Sequence, residues 1–245
     1  MAGVKEHYDN LLAPYYSWMC GGPELKFEEN RNFFQSNDIF PALSGVALDL
    51  GAGAGFQSIP LSQVGFKVIA IDLSHDLLME LKSHAEGLPI VTIEGNLLHF
   101  AEHIPKNIEL IVCMGDTITH LRTLKEIQIL LKDAWLALED QGRLILSFRD
   151  LTNELKNLDR FIPVRSSPEK IFTCFLEYEQ EYVKVHDIIY EKADNQWTMK
   201  KSYFRKLRIS LQWMRNCLQQ SGFTIQDQHT DTGMTTIIAC KPERL

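Results

Sequence analysis

The sequence predicts a doubly wound α/β sheet that carries an antiparallel β insertion. Short apolar runs alternate with helical patterns from residue 46 to residue 148, which is typical of a parallel sheet with helices on both faces. The first run ends in three glycines at alternate positions, as a strand does when a tight turn leads into a helix. About sixty residues with three β-rich runs then follow the fifth strand, before the next helical pattern begins at Ser210.

Length and composition are those of an ordinary globular domain. The chain has 245 residues, of which 45 % are apolar and 23 % are charged, enough for one domain with a sizeable core. Its 25 Lys and Arg residues against 32 Asp and Glu residues give a net charge of −7. That balance disfavours broad binding to a phosphate backbone, so we expect no nucleic-acid partner.

Cysteine usage and apolar runs indicate a cellular location. The five cysteines are scattered and form no C-x-x-C pair, which favours reduced thiols over a disulfide framework or a zinc site, so we expect no bound metal. The first residues lack the apolar centre of a signal peptide, and no apolar run is long enough to span a membrane. We therefore expect a cytoplasmic protein without a membrane partner.

Residues 1–40 are predicted to form a helical lid. Aromatic residues dominate residues 4–19, and Pro14 breaks any long helix there, so two short helices or a helix and a loop are expected. Gly21 and Gly22 end this stretch, and an acidic helix follows at 24–36. The aromatic side chains, Tyr8 among them, either form a fixed cap over the core or close as a mobile lid over a ligand.

The glycine turn after the first strand indicates a ligand site. Gly51, Gly53 and Gly55 carry no Cβ, so the backbone can approach a ligand closely, and the following helix points free N–H groups at the turn. Asp72 ends the second strand, where a carboxylate can accept hydrogen bonds from both hydroxyls of a ribose. A glycine turn with a ribose acid predicts an adenosine-type cofactor, bound by a core at residues 46–150.

Position 56 bears on which cofactor binds. The dinucleotide pattern G-x-G-x-x-G/A needs a small residue there, whereas this chain has Phe56. The bulky ring argues against a pyrophosphate at the helix start. An NAD-dependent oxidoreductase therefore stays an alternative that Phe56 opposes, and a non-catalytic scaffold that binds the cofactor is another.

Two motifs resemble one enzyme family. Leu-Asp-Leu-Gly-Ala-Gly-Ala-Gly at 48–55 resembles the first motif of the class I S-adenosylmethionine-dependent methyltransferases. Met-Gly-Asp-Thr-Ile-Thr-His-Leu at 114–121 is similar to the fourth-strand exit of the glycine N-methyltransferase-like small-molecule group. The chain lacks the Asn/Asp-Pro-Pro-Tyr/Phe motif of the DNA adenine and related methyltransferases at this point, which counts against nucleobase amino groups as acceptors.

The resemblance implies both a fold and a reaction. The fold would be a Rossmann-like sheet of about seven strands with an antiparallel last strand, closed by a helix and strands at 210–241. The reaction would transfer the methyl group of S-adenosylmethionine to N or O of a small-molecule acceptor and leave S-adenosylhomocysteine. The protein would be a monomer or a homodimer.

The resemblance also implies which residues hold the cofactor. The acid inside the first strand, Asp49, would help to orient the amino-acid end of the cofactor through water or the glycine turn. Asn96, after the third strand, offers a donor and an acceptor that suit an adenine edge. Met114 and Gly115 would lie beside the methionine portion. The full expected set is Tyr16, Asp49, Gly51, Ala52, Gly53, Gly55, Asp72, Leu73, Asn96, Leu97, Met114 and Gly115.

The insertion at residues 155–209 is expected to wall the acceptor pocket. We predict three antiparallel strands within 171–178, 182–191 and 197–209. Strand alternation places Trp197, Tyr203 and Arg205 on one face, and a basic cluster of Lys200, Lys206 and Arg208 on the opposite face. That cluster either binds an anionic group of the acceptor or is a solvated strand face. The expected acceptor-binding residues are Arg149, Trp197, Tyr203 and Arg205.

Little acid–base chemistry is required of the protein. The sulfonium already makes its methyl group electrophilic, so aligning the acceptor and excluding water matter most. A base is needed only if the acceptor must lose a proton. His120, with an unperturbed pKa near 6.5, is the first candidate for that base, and Asp116 and Tyr15 are others.

Overall fold

The computed structural model describes residues 3–102, 104 and 107–243. These residues form eleven strands in chain order: β1 Val46–Leu50, β2 Lys67–Asp72, β3 Ile90–Glu94, β4 Ile108–Cys113, β5 Leu138–Arg149, β6 Phe161–Ser166, β7 Lys170–Tyr178, β8 Tyr182–Ala193, β9 Gln196–Leu207, β10 Thr224–Asp231 and β11 Met234–Cys240.

Seven helices of the α type accompany the strands in the described part of the chain. They are α1 Val4–His7, α2 Tyr16–Met19, α3 Pro23–Ser36, α4 Ser58–Gln63, α5 His75–His84, α6 Leu124–Ala137 and α7 Leu211–Gln220. Among these described helices, none is long and apolar enough to cross a membrane.

The main sheet confirms the predicted fold class. Its seven strands lie in the order β10-β11-β5-β4-β1-β2-β3. Pairing is parallel from β3 to β5, whereas β11 is antiparallel to both β5 and β10. Every residue of β4, at the centre of this sheet, is buried, because helices cover both faces of a doubly wound sheet. The carboxyl ends of β1, β2 and β4 therefore meet at one edge.

The insertion is a separate antiparallel sheet in the order β6-β7-β8-β9. The prediction of three strands is wrong by one, since β6 adds an edge strand. Pro163 lies within β6, and a proline disfavours a strand because it cannot donate to the ladder. An edge position tolerates it, and the pairing shifts register between Pro163 and Arg165.

The N-terminal segment, residues 4–19, packs against the inner face of this insertion sheet. After α1 it continues as a single π-helical turn, Tyr8–Leu12, and a 3₁₀ turn, Ala13–Tyr15, before α2. Leu11, Leu12 and Tyr15 are buried in a cluster with Phe172 of β7 and Ile189 of β8. The segment therefore lies between the insertion sheet and the carboxyl edge of the main sheet.

Candidate active site

A cavity opens at the carboxyl edge of the main sheet, where open α/β sheets bind their ligands. It holds about 620 Å³ of free space, part of it open to solvent. The glycine turn, the end of β2, the turns after β3 and β4, and the N-terminal segment form its walls. The lining residues include Val4, Lys5, Tyr8, Tyr16, Gly51, Gly53, Asp72, Leu73, Gly95, Leu97, Gly115, Thr117 and His120.

Some residues of the glycine turn line the cavity, and others pack against neighbouring side chains. Gly51, at φ +77°, lines the cavity, and a Cβ on it would lie 2.2 Å from Cγ2 of Thr117. A Cβ on Gly55 would lie 2.6 Å from Cγ of Leu81, so that glycine is required by the packing of α5. Gly53 lines the cavity, whereas Ala52 packs into a buried cluster behind it. Two of these four predicted cofactor residues therefore face the cavity.

Replacing Gly51 with Ala should cost more stability than the same change at Gly87. The two glycines have nearly the same φ, +77° and +76°, but a Cβ on Gly87 meets nothing within 4 Å. Both variants carry the left-handed strain of roughly 1–2 kcal/mol, and only Gly51→Ala adds the collision with Thr117, about 1–3 kcal/mol more. Urea unfolding measures the difference, and Thr117→Ala should reduce it in the double variant. Equal losses of stability in the two variants would show that the contact with Thr117 does not affect stability.

Asp72 faces the cavity, and both of its carboxylate oxygens accept hydrogen bonds from the backbone. Oδ2 accepts a hydrogen bond from the backbone N–H of Gly53 at 2.8 Å, and Oδ1 accepts one from Ser74 at 2.8 Å. Burial raises the pKa of this carboxyl, and the backbone donors counter that effect. An ionised carboxylate accepts about four hydrogen bonds, so acceptor capacity remains for hydroxyl donors from the cavity side.

Asp49 lies behind the glycine turn and does not line the cavity. Its Oδ2 accepts a hydrogen bond from Oγ of Ser58 at 2.6 Å, which ties β1 to the start of α4. Burial raises the pKa of Asp49 to about 7. Its second oxygen is buried and has no partner among the described residues. Any influence on a ligand would therefore pass through the turn.

Some of the other predicted cofactor residues line the cavity, and others contact only neighbouring residues of the protein. Leu73, Leu97, Gly115 and Tyr16 line the cavity. The Asn96 side chain is exposed and its Oδ1 accepts the N–H of Leu98, which caps the following 3₁₀ helix. The Met114 side chain packs into the buried cluster that includes Phe34 and Val112. A direct adenine contact from Asn96 and a side-chain contact from Met114 stay predictions.

A cluster of four aromatic rings borders the cavity, and two of its members line it. Tyr8 and His120 line it, with ring centroids 6.0 Å apart, and Phe204 of β9 lies 5.2 Å from His120. His7 lies 4.6 Å from Phe204 and 6.2 Å from Tyr8. Burial, together with nearby Lys206 and His7, holds the pKa of His120 well below its usual 6.5. His120 is therefore a neutral hydrogen-bonding group near pH 7.

The lowered pKa of His120 makes stability depend on pH. In the unfolded chain this imidazole binds a proton near pH 6.5, whereas in the folded protein it does so only at much lower pH. The unfolded state then binds more protons, so stability is complete above about pH 6.5 and is lost as the pH falls toward the folded pKa. In His120→Gln, the free energy of unfolding measured with urea should fall less steeply than in the wild type between about pH 7.5 and about pH 5.5. The exposed His75 supplies the control His75→Gln, and superimposable pH profiles for wild type and His120→Gln would contradict the prediction.

Two predicted catalytic residues are occupied in structural contacts. Asp116 is buried, forms an ion pair with Lys206 of β9, and accepts the backbone N–H of Arg149 at 2.9 Å. The hydroxyl of Tyr15 donates to Glu191 at 2.8 Å and accepts from Lys200 at 2.7 Å. Neither side chain lines the cavity. These contacts join Tyr15 and Asp116 to the insertion sheet, and a catalytic role for either residue stays a prediction.

The predicted acceptor-binding residues also lie outside the cavity. Arg149 is exposed, and its guanidinium donates to the carbonyl of Thr232 at 2.8 Å. Arg205 pairs with Glu179. Trp197 is 46 % exposed, and the Tyr203 ring neighbours His186. For the three residues of β9 the physical reason is that the opposite face of the strand, with Lys200 and Lys206, packs inward.

The basic cluster lies on that inner face, but its charges are paired. Lys206 pairs with Asp116, and Lys200 with Glu191 at 3.0 Å. Arg208 pairs with Glu154 and donates to backbone carbonyls of the loop after β5. The predicted binding of an anionic group by this cluster therefore has no support from these contacts.

Sequence reasoning assigns no site role to several residues that do line the cavity. The sequence pattern predicts Tyr8 only as part of the aromatic cover, and it predicts no role for Val4 or Lys5. Tyr8 and Tyr16 are eight residues apart, about two helical turns, and their rings lie 6.1 Å apart. That spacing is the signal that could identify Tyr8.

Sequence comparison finds a methyltransferase domain within the chain. Residues 47–142 match the sequence model of a methyltransferase domain. The chain is similar to a glycine/sarcosine N-methyltransferase of Aphanothece halophytica, at 25 % identity over 170 residues. That match covers 65 % of this chain and 63 % of the relative, so it spans less than two thirds of the relative's length.

Solved structures share the fold over nearly the whole chain. The CcbJ methyltransferase of Streptomyces caelestis aligns with a TM-score of 0.75 at 15 % identity, covering 99 % of this chain and 97 % of that one. CalS10, an amino pentose methyltransferase of Micromonospora echinaspora, aligns with a TM-score of 0.71 at 12 % identity, covering 96 % of each chain. These matches support a class I S-adenosylmethionine-dependent methyltransferase, with the methyltransferase-domain model at residues 47–142 and the shared fold over nearly the whole chain.

Proposed function

We propose that this protein transfers the methyl group of S-adenosylmethionine to N or O of a small-molecule acceptor by in-line displacement. One observation carries the proposal: the Asp72 carboxylate and the backbone of Gly51 and Gly53 face the same cavity at the carboxyl edge of the sheet. This arrangement supports an adenosine-type ligand whose ribose lies at Asp72.

The residues present fit such a ligand. A Cβ on Gly115 would meet nothing within 4 Å, so the backbone there opens onto free cavity space. Asp72 would accept from the ribose hydroxyls, while Gly51, Gly53 and Gly115 would allow close approach along the backbone. Phe56 is buried and stacks on Tyr16, with ring centroids 5.5 Å apart. The two rings occupy the space beside the helix start, which disfavours the pyrophosphate of an NAD-dependent oxidoreductase.

Several cavity residues would have separate roles in the reaction. When bound, S-adenosylmethionine would supply an electrophilic methyl group to the acceptor's lone pair, with S-adenosylhomocysteine as the leaving group. Tyr8 and Tyr16 would cover that region and exclude water, and holding the acceptor in line can lower the barrier by about 7–11 kcal/mol. His120 is neutral and can accept a hydrogen bond from the acceptor. Burial raises the pKa of Tyr8, so its phenol stays protonated and can donate.

Nitrogen is the better supported acceptor atom. The relative from Aphanothece halophytica is named for N-methylation of glycine and sarcosine, and CalS10 for an amino pentose. The neutral imidazole of His120 can accept a hydrogen bond from an amine N–H, as it can from a hydroxyl. A cytoplasmic location and a monomeric or homodimeric state remain part of this proposal.

A labelling experiment tests the proposal. The protein is incubated with methyl-labelled S-adenosylmethionine and a protein-free extract of small molecules, and labelled products are identified by mass spectrometry. We expect S-adenosylhomocysteine to accumulate in proportion to one labelled small molecule, and Asp72→Ala to reduce both signals at limiting S-adenosylmethionine. Binding of S-adenosylhomocysteine without any labelled product would favour the non-catalytic scaffold instead.

A further inference from the structure

The insertion sheet has two faces of different character. Along β8 the side chains at positions 183, 185, 187 and 189 are buried, and those between them are not. Asp187 binds His7, and Ile189 packs with Leu11, so the buried set faces the N-terminal segment. The alternate set belongs to the outer face of the sheet, because successive residues of a strand point to opposite sides.

The outer face exposes a contiguous group of large apolar side chains from all four strands. The register places Ile171 beside Tyr190, and Tyr190 beside Met199. Single exposed apolar residues are ordinary, but a contiguous apolar patch marks a site of interaction. The patch consists of Phe161, Ile171, Tyr190, Trp197 and Met199, each between 39 and 50 % exposed.

A row of rings crosses the same face. Its members are register neighbours on β6, β7, β8 and β9, and adjacent ring centroids lie 4.7, 5.6 and 5.4 Å apart. Rings that already pack against one another lose little freedom when a partner covers them. Among the described residues, no buried cluster includes a side chain of this row or of the apolar patch. The row consists of Phe161, Phe175, His186 and Tyr203.

Charges of both signs border the apolar centre. At one end Glu177 pairs with Lys184 at 2.9 Å, and at the other end Lys192 lies over the Trp197 ring. If two copies pack with opposite ends together, Lys192 of one copy approaches Glu177 of the other. Opposite charges then meet, whereas a border of one sign would repel a second copy. Lys201 lies on the edge strand, from which a lysine can extend its ammonium into solvent.

The outer face is large enough for a stable interface. Four strands about 4.8 Å apart, each with about eight residues at ~3.3 Å, cover roughly 500 Å² in projection. Two such faces together would bury roughly 1,000 Å² before the relief of the side chains is added, which is the lower limit for a specific interface. Small molecules bind in concave sites, whereas this is the open face of a sheet. A second copy offers a surface of the same size and apolar character.

We propose that the outer face of the insertion sheet is an interface between two copies of this chain, packed face to face about a two-fold axis. Such an interface uses the same patch on both copies, so one apolar face satisfies both. Each copy keeps its own cavity, because the N-terminal segment and the cavity lie on the inner side of the sheet. The inference does not depend on the proposed function.

Sedimentation velocity of the complete protein over a wide concentration range tests the inference. One chain has a mass of 28.2 kDa, so the wild type should sediment as a species of twice that mass, 56.4 kDa. Met199→Glu places a charge in the centre of the patch on both copies, and it should shift the species to 28.2 kDa. Trp197→Lys is a second variant with the same expected shift. Circular dichroism checks that each variant keeps the fold.

Leu136→Glu is the matched control. Leu136 is 60 % exposed on α6, away from the insertion sheet, so this variant should sediment as the wild type does. A wild type of 28.2 kDa at every concentration, or folded Met199→Glu and Trp197→Lys at 56.4 kDa, would overturn the inference. Dissociation by Leu136→Glu alone would also overturn it, by placing the interface on α6. A single-chain wild type that sediments with vesicles of phosphatidylcholine and phosphatidylserine would make the patch a membrane surface instead.

Discussion

Lys206→Met should lower the free energy of unfolding by about 3–5 kcal/mol, because it leaves a buried carboxylate without its counter-ion. Asp116 has 4 % of its side chain exposed and Lys206 has 17 %. The pair joins β9 of the insertion to the turn after β4, so the loss should also weaken the attachment of the insertion sheet. Urea unfolding at neutral pH measures the change.

Lys200→Met is the matched control on the same face of β9. Its partner Glu191 and Lys200 itself are 32 % and 47 % exposed, and exposed ion pairs contribute no more than about 1 kcal/mol. Removing the negative charge as well, in Asp116→Asn/Lys206→Met, should recover part of the loss. Similar small losses for both single lysine variants would mean that water reaches Asp116 and that the pair does not fasten the two sheets.

Asp72→Ala should weaken S-adenosylhomocysteine binding by roughly 10- to 100-fold. Hydrogen bonds to a charged acceptor contribute about 1.5–3 kcal/mol, and 1.4 kcal/mol corresponds to a factor of ten. The same change releases the backbone N–H groups of Gly53 and Ser74, which loosens the glycine turn. Isothermal titration calorimetry gives the affinity, and thermal unfolding shows whether the fold is kept.

Glu94 supplies the control for Asp72. It is the register partner of Asp72 on β3, but its exposed carboxylate pairs with His75 and does not line the cavity. Glu94→Ala should therefore bind S-adenosylhomocysteine as the wild type does. Equal weakening in the two variants would show that general negative charge at this edge, and not a ribose contact from Asp72, governs binding.

The fold follows from features that are local in the sequence. The glycine turn, the apolar runs and the Ser210 cap of α7 are each contained in a few residues, so periodicity and turn chemistry identify them. Ser210 does accept the N–H of Trp213 at 3.1 Å. Gly51 and Gly53 on that turn, and Asp72 at the end of β2, could be predicted to lie at one site for that reason, and all three line the cavity.

The acceptor side depends on contacts between distant parts of the chain. The alternation of residues along β9 separates two faces of the strand, but it does not show which face packs inward. If the other face packs inward, every buried residue becomes exposed and every exposed residue becomes buried. Tyr15 meets Lys200 and Asp116 meets Lys206 across 185 and 90 positions. No local pattern in the sequence shows that these groups are already paired, which is why Tyr15, Asp116 and the outward residues of β9 were predicted to lie at the site.

Titration of the unmodified protein with S-adenosylhomocysteine and, separately, with NADH tests the central claim most directly. The geometry at Asp72 and the stacked rings of Phe56 and Tyr16 predict saturable binding of S-adenosylhomocysteine at one site per chain and no binding of NADH. Binding of NADH, or no detectable heat with S-adenosylhomocysteine, would contradict the assignment of this cavity to S-adenosylmethionine.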